Sequence, residues 1–211
     1  KGFVAPKGRW NEGLQVKLEK YGFLYSSEFS LDYDNLPFYP IIQDRFSTVL
    51  QIPVHPVCWG NYKDAGIEND EGVEKYLEKI IIAKYNNRQP VLIYGHPNEN
   101  IGKNPKLLGM VYGMIGSLKG LKRIRLTDFA RWWGKRHEVG FQGITFDTSK
   151  KVLSYMLENE TDFSDLCLNI RMPADKSSYY DIAGRSGEVS IDDIEYEVCS
   201  HVRIEPDIYR E

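Results

Sequence analysis

The hydrophobic periodicity of the chain changes near residue 140, and this change limits the folds available to it. Before residue 137, short apolar runs alternate with segments whose apolar residues recur every three or four positions. Such alternation of strand-like and helical segments predicts a parallel sheet. After Gly140 the apolar residues recur at every second position, which predicts antiparallel strands. The sequence therefore predicts an α/β fold over residues 1–137 and a small β-rich unit over residues 138–211.

The charge of the chain changes sign at the same place. Residues 1–137 contain 20 Lys and Arg against 14 Asp and Glu, whereas residues 138–211 contain 7 against 16. This asymmetry supports two structural units. Neither part has a dense Lys/Arg cluster with interleaved aromatic residues, so nucleic acid is not an expected partner. The longest apolar runs are too short to cross a bilayer, so no membrane span is expected.

The cysteines carry little chemical information. The three cysteines are far apart and form no CxxC pair, which argues against a zinc ribbon or a redox motif. This usage favours a reducing compartment and hence a cytoplasmic location, with an extracytoplasmic one left open.

Helix signals are clear in the first part of the chain. Asn11, Asn69 and Thr127 are predicted N-caps, and a further helix is predicted over residues 105–118. The first helix should bury Leu14, Leu18 and Tyr21. The predicted strands are residues 2–6, 23–27, 49–54 and 91–94 in the first part and 144–147, 152–158, 166–171 and 189–198 in the second. Four parallel strands are fewer than a closed β/α barrel needs, so the first part can be only a fraction of one.

Two histidines directly follow predicted strands. His55 comes after residues 49–54, and His96 comes after residues 91–94. Active sites of parallel α/β folds form at the carboxyl ends of strands. A histidine there can act as a general acid or base or as a metal ligand. The alternative for both is a packing residue held by its backbone.

Carboxylates and tryptophans occupy neighbouring loops. Glu28, Asp32 and Asp34 follow the strand at 23–27, where they could orient a base, bind a sugar hydroxyl or hold an arginine. A solvated loop with turn-forming Asp residues is the alternative. Trp10 and Trp59 also follow strand ends, where a flat ring can stack on a sugar, although a core rich in aromatic residues explains them equally well.

Four segments together resemble a known family. They are residues 2–11 (GFVAPKGRWN), 25–38 (YSSEFSLDYDNLPF), 50–53 (LQIP) and 93–97 (IYGHP). Their order and spacing resemble the third motif, the acidic loop with the fourth motif, the following strand and the fifth motif of polysaccharide deacetylases. This is carbohydrate esterase family 4, the chitooligosaccharide deacetylase homology domain. The match covers residues 1–137 and only the C-terminal half of that domain.

The resemblance implies both a fold and a reaction. The fold is a partial, distorted β/α barrel, here followed by the small antiparallel β unit. The reaction is metal-dependent hydrolysis of N- or O-linked acetyl groups on a carbohydrate, with a divalent metal that is commonly zinc. His96 matches the histidine that protonates the leaving group. Val4 stands where the family has an arginine that its acidic loop positions.

The remaining site residues follow from this comparison and from position. Arg9 is expected to replace the missing arginine, with Glu28 or Asp32 positioning it. Trp10, His55, Trp59 and Asp34 are expected to contact substrate. An acetylated carbohydrate is the expected partner, and a homo-oligomer is left open.

The metal-binding half of the family pattern is missing. The family's Asp pair and His-x-x-x-His motif do not occur, so no residue is assigned as a metal ligand. Thr145-Phe146-Asp147 resembles the aspartate motif but lacks its second Asp and is expected to be a strand end. The metal ligands are therefore expected in an N-terminal half of the barrel, supplied by the same or another chain. The opening at Lys1 without Met favours a C-terminal fragment over a divergent, inactive form.

Two other functions stay open. The chain could be a non-catalytic carbohydrate-binding or assembly module that uses the β unit and surface tryptophans. It could also hydrolyse a non-peptide C–N bond in a small amide, because amide and acetyl carbonyls require the same acid and metal.

Overall fold

A computed structural model describes residues 1–29, 36–58, 62, 66–67, 69–96, 104–158, 166–172, 176–181 and 184–191. The chain divides into two compact units, Lys1–Glu138 and Val139–Glu211. Each unit is described by itself.

The first unit contains a short parallel sheet. Its strands are β1 (Gly2–Phe3), β2 (Tyr25–Ser26) and β5 (Leu50–Gln51), in the order β1-β2-β5. Both neighbouring pairs are parallel. Two further strands, β3 (Ile41–Ile42) and β4 (Arg45–Phe46), form an antiparallel hairpin between β2 and β5 that the sequence did not predict.

Residues 91–94 do not form the strand that was predicted. They have no regular secondary structure and lie beside the residues after β5, where the His55 amide donates to the Leu92 carbonyl at 2.8 Å. Because Pro53 and Pro56 have no N–H to donate, a continuous ladder of hydrogen bonds does not develop there. The segment nevertheless lies next to the chain that leaves β5, through this one hydrogen bond.

The first unit also contains four helices. They are α1 (Glu12–Lys20), α2 (Asp70–Asn86), α3 (Pro105–Ser117) and α4 (Leu126–His137). Asn11 and Asn69 are N-caps as predicted, since their side chains accept from the Leu14 and Gly72 amides at 2.8 Å. Each cap satisfies one of the otherwise unpaired amides of the first turn, a contribution of about 1 kcal/mol.

Two details of the helices differ from prediction. Thr127 is not a cap, because α4 already begins at Leu126 with Arg125 at the N-cap position. The Arg125 guanidinium pairs with Asp128 at 2.8 Å, which stabilises the first turn in place of a hydroxyl cap. In α1, Tyr21 lies beyond the helix and is 62% exposed, whereas Gln15 and Leu18 are buried.

Two apolar clusters stabilise the first unit. One joins α2 to α3 through Val73, Leu77, Ile81, Leu107 and Val111. The other joins α4 to the sheet through Leu50, Ile52, Ala130 and Trp133. Complete burial of a side chain such as Leu77 stabilises the fold by about 1.5–3 kcal/mol.

The second unit is entirely β in its described residues. Its strands are β6 (Phe141–Asp147), β7 (Val152–Leu157), β8 (Cys167–Met172), β9 (Lys176–Asp181) and β10 (Ser186–Ser190). One antiparallel sheet has the order β10-β7-β6, and β8 and β9 form a separate antiparallel pair. The core of the unit is formed by Tyr155, Leu157, Leu166, Val189 and Ile191.

Asp147 has a structural role at the end of β6. Its Oδ1 accepts from the Ser149 amide at 2.9 Å, the Ser149 hydroxyl at 2.6 Å and the Lys150 amide at 3.1 Å. These bonds, led by the one from the Ser149 hydroxyl, lower the pKa of Asp147. The triplet 145–147 is therefore a strand end that leads into a tight turn, as predicted.

Candidate functional site

The parallel strands of the first unit end at one edge of the sheet. Since β1, β2 and β5 run in the same direction, the residues that follow them emerge side by side. These residues include Ala5 after β1, Glu28 after β2 and His55 after β5. Most of the sequence-predicted site residues that the structure describes lie in these three loops. His96 lies after residues 91–94, which neighbour His55.

Glu28 is the buried polar centre of this edge. Glu28 is only 6% exposed. Its Oε1 accepts from the Ala5 amide at 3.1 Å and from the Ser26 hydroxyl at 2.5 Å. Its Oε2 is also buried and has no hydrogen-bond partner among the described residues. Glu28 therefore joins the loops after β1 and β2 and keeps one acceptor unused.

The loop after β1 lies directly against Glu28. It contains a 3₁₀ turn, Pro6–Gly8, in which Gly8 has a φ of +58°. A Cβ atom at Gly8 would lie 2.9 Å from the Glu28 carbonyl oxygen, closer than real Cβ contacts. Only glycine combines this backbone conformation with this approach at no steric cost.

Arg9 does not pair with Glu28. Arg9 is exposed. Oε2 of Glu28 has no hydrogen-bond partner, so no guanidinium of a described residue binds this oxygen. Glu28 thus holds the backbone of the loop that carries Arg9 rather than the arginine itself. Asp32, the other residue expected to position Arg9, lies outside the described residues, as does Asp34.

Trp10 lies on the same loop, next to Arg9, and is partly buried. Its ring lies 5.5 Å from that of Phe29, measured between centroids. Its Nε1 donates to Gln15 Oε1 at 3.1 Å. One end of the indole is therefore fixed by a hydrogen bond and its body by an aromatic contact. Trp59, the second predicted stacking residue, lies outside the described residues.

A buried glutamine supports Trp10, and sequence reasoning missed it. Gln15 is 0% exposed, and its Nε2 donates to Ser47 Oγ at 2.9 Å and to the Val49 carbonyl at 2.8 Å. Its Oε1 accepts from Gln51 Nε2 at 2.8 Å as well as from Trp10. The available signal was its spacing, because Gln15 and Leu18 are three residues apart and share one helix face.

His55 is buried against an aromatic pair. It is 6% exposed, and its Nε2 lies 2.5 Å from the hydroxyl of Tyr76. Tyr76 also makes an edge contact with Tyr62, whose pKa is raised by burial, so Tyr62 stays protonated. The crevice that His55 shares with Lys84 measures about 10 Å³, which is room for about one water. The crevice is also lined by Pro53, Ile80 and Leu92, so His55 lies among mainly apolar side chains.

His96 is exposed and lies two residues after the segment 91–94, which neighbours His55. It makes no hydrogen bond or ion pair with another described residue, so its ring is accessible from solvent. The segment that ends in His96 therefore neighbours His55, but His96 is exposed whereas His55 is buried. An accessible imidazole can exchange a proton with a bound molecule, whereas the buried His55 cannot do so without rearrangement.

No metal centre is formed by the part of the chain that the structure describes. These residues contain no group of three or more His, Cys, Asp and Glu side chains that could hold an ion. Their donor set therefore does not fit a zinc site, which needs at least three protein ligands. The same described residues contain no helix with the length and apolar character needed to cross a membrane.

Comparison with protein-family models, with curated proteins and with solved structures finds no match to this chain.

Proposed function

We propose that the chain belongs to a metal-dependent hydrolase that removes N- or O-linked acetyl groups from a carbohydrate, and that it carries the acid histidine, His96. The proposal starts from the four sequence segments that resemble polysaccharide deacetylases. The spatial arrangement of the first three segments supports it, since β2 pairs with both β1 and β5, and the Leu92 carbonyl, one residue before the fourth segment, accepts from the His55 amide. Segments that are far apart in sequence thus lie side by side.

The observation that carries the proposal is the contact between the first two segments. Glu28 belongs to the acidic-loop segment and Ala5 to the segment before it, and their hydrogen bond is buried. A buried carboxylate is costly unless hydrogen bonds compensate for the lost hydration. A buried acceptor without a partner is uncommon in a packed core, and a role in a binding site would account for the unused Oε2 of Glu28.

His96 is proposed to act as the general acid. When the tetrahedral adduct of the acetyl group collapses, the bond to the sugar nitrogen or oxygen breaks. The departing amine or alkoxide then takes a proton from the protonated imidazole of His96. Such transfer contributes about 10²–10⁴-fold to a rate. The exposed position of His96 suits this role, because the acid must be reprotonated from solvent in each cycle.

The other residues are proposed to hold the sugar. Arg9 and Trp10 lie on the loop that Glu28 fixes through the Ala5 amide. The guanidinium of Arg9 can donate to sugar hydroxyls, and the indole of Trp10 offers an apolar face. A fixed loop loses little conformational entropy on binding, which favours affinity.

A divalent metal such as zinc polarises the acetyl carbonyl and activates a water in hydrolases of this type. The described residues do not form such a centre. The contribution proposed for them is limited to proton transfer by His96 and to sugar binding.

The test is release of acetate by the purified protein that contains these residues together with the N-terminal half of the barrel, in which the metal ligands are expected. Substrates are an N-acetylated chito-oligosaccharide, an O-acetylated xylo-oligosaccharide and a small acyclic amide, each with added Zn²⁺ and with a chelator. We expect zinc-dependent acetate release from at least one of the two sugars. Calorimetric binding of a sugar without acetate release under any condition contradicts the proposal in favour of a binding module. Hydrolysis of the small amide alone contradicts it in favour of a C–N hydrolase.

A further inference from the structure

The positive charge of the first unit is concentrated in one stretch. Residues 1–118 contain 13 Lys and Arg against 13 Asp and Glu. Residues 119–136 contain seven Lys and Arg against a single acidic residue, Asp128, and so form a basic cluster, contrary to the expectation that this part of the chain has none. The whole excess of positive charge of this unit therefore lies on α4 and on the segment that precedes it.

Helix α4 presents this charge on the side away from its packing face. Ala130 and Trp133 are buried against the sheet, whereas Arg131 and Lys135 are exposed and one helical turn apart. Asp128 pairs with Arg125 at 2.8 Å and with Arg131 at 3.3 Å. One carboxylate is thus shared by two guanidinium groups, which leaves this pair of arginines with a net positive charge.

The segment before α4 adds an apolar side chain to the charged surface. Ile124 is 51% exposed and stands between Arg123 and Arg125, which are also exposed. Lys119, at the other end of this segment, is exposed as well. An aliphatic side chain flanked by cations matches a partner that has anionic groups at its surface and an apolar layer beneath them.

We propose that this basic surface, formed by Lys119, Arg123, Ile124, Arg131 and Lys135, docks the protein on an anionic lipid membrane. The charges are complementary, because clusters of Lys and Arg bind the negative surface of such bilayers. A 12-residue helix extends over about 18 Å, so α4 can present several cations to one flat surface. Ile124 favours a bilayer over a soluble polyanion, which has no apolar layer for it to enter. The attachment is peripheral and does not need a spanning helix.

Vesicle co-sedimentation of the full chain tests this proposal. Vesicles are phosphatidylcholine alone or a 7:3 mixture of phosphatidylcholine and phosphatidylglycerol, at 0.1 M and 1 M salt. We expect binding only to the anionic vesicles at low salt, because the screening length falls from about 10 Å to about 3 Å between these salt concentrations. Replacement of Lys119, Arg123, Arg131 and Lys135 by Gln should weaken binding at least about tenfold.

A matched variant controls for total charge. It replaces four exposed cations elsewhere in the unit, Lys17, Lys20, Lys79 and Lys106, by Gln, and it should bind as the unmodified chain does. Ile124→Ser should weaken vesicle binding without changing retention on a column of immobilised polyphosphate. Equal binding to neutral and anionic vesicles, or equal losses in the two charge variants, overturns the proposal. Retention on polyphosphate with no vesicle binding overturns it in favour of a soluble anionic polymer.

Discussion

Truncation of Glu28 tests the physical basis of the candidate site. In Glu28→Ala the Ala5 amide and the Ser26 hydroxyl both lose their buried acceptor. Each buried donor left without a partner costs about 1–3 kcal/mol. Removal of Oε2, which is buried without a partner, offsets part of this cost. We expect a net loss of about 3 kcal/mol in the free energy of unfolding.

Urea unfolding followed by tryptophan fluorescence measures this loss. All four tryptophans lie within the first 138 residues, so the signal reports the unit that contains Glu28. With a slope of about 2 kcal/mol per molar urea, the midpoint should fall by about 1.5 M. Glu28→Gln keeps an oxygen acceptor and should lose only about 1 kcal/mol.

The control is a carboxylate of similar size on the surface. Glu71 pairs with Lys75 at 2.6 Å, and both side chains are 73% exposed. Glu71→Ala should change the free energy of unfolding by less than about 1 kcal/mol. If Glu28→Ala costs no more than Glu71→Ala, Glu28 does not join the loops after β1 and β2, and the reasoning fails.

Three further predictions concern the scaffold. The hydrogen bond from Arg45 lowers the pKa of Glu19 from 4.5 to about 2, so its stabilising effect is complete above pH 4.5 and lost as the pH falls through 2. Glu19→Gln should lower the free energy of unfolding at neutral pH by about 2 kcal/mol, an amount reduced by solvent screening because Arg45 is half exposed. Urea midpoints with the same pH dependence in both proteins would refute this prediction. Gly8→Ala should destabilise more than Gly22→Ala in thermal melts, since both have positive φ but only Gly8 would contact the Glu28 carbonyl; equal losses would disprove the close approach. Gln15→Leu leaves Trp10 and Gln51 without their shared acceptor and should cost about 2–4 kcal/mol by urea unfolding, whereas a change below 1 kcal/mol would contradict the network.

The sequence predicted those elements whose signals are local. Asn11 and Asn69 identify helix starts, because the cap is made by a side chain three residues from its donor. The β3–β4 hairpin escaped prediction because its turn uses Gln43 and Asp44 at positive φ, where glycine is the usual signal. Strand β9 escaped because its sequence, KSSYYD, has no apolar alternation.

The candidate site was only partly predictable for a related reason. The position of Glu28 after a strand was visible in the sequence, but its burial and its bond to Ala5 depend on a partner 23 residues away. The burial of Gln15 depends likewise on Val49 and Gln51, which β5 brings to α1. Polar side chains are ordinarily exposed, so a sequence pattern assigns them to the surface unless the partners are known.

The most direct measurement of the central claim is the rate of acetate release in a His96→Ala variant. The reference proteins are the unmodified protein, with the N-terminal half of the barrel that is expected to hold the metal ligands, and its His137→Ala variant, which removes another exposed histidine at the end of α4. With zinc present and folding verified by circular dichroism, His96→Ala should reduce kcat by about 10²–10⁴-fold while His137→Ala leaves it unchanged. An unchanged kcat in His96→Ala, or equal losses in the two variants, would contradict the assignment of His96 as the acid.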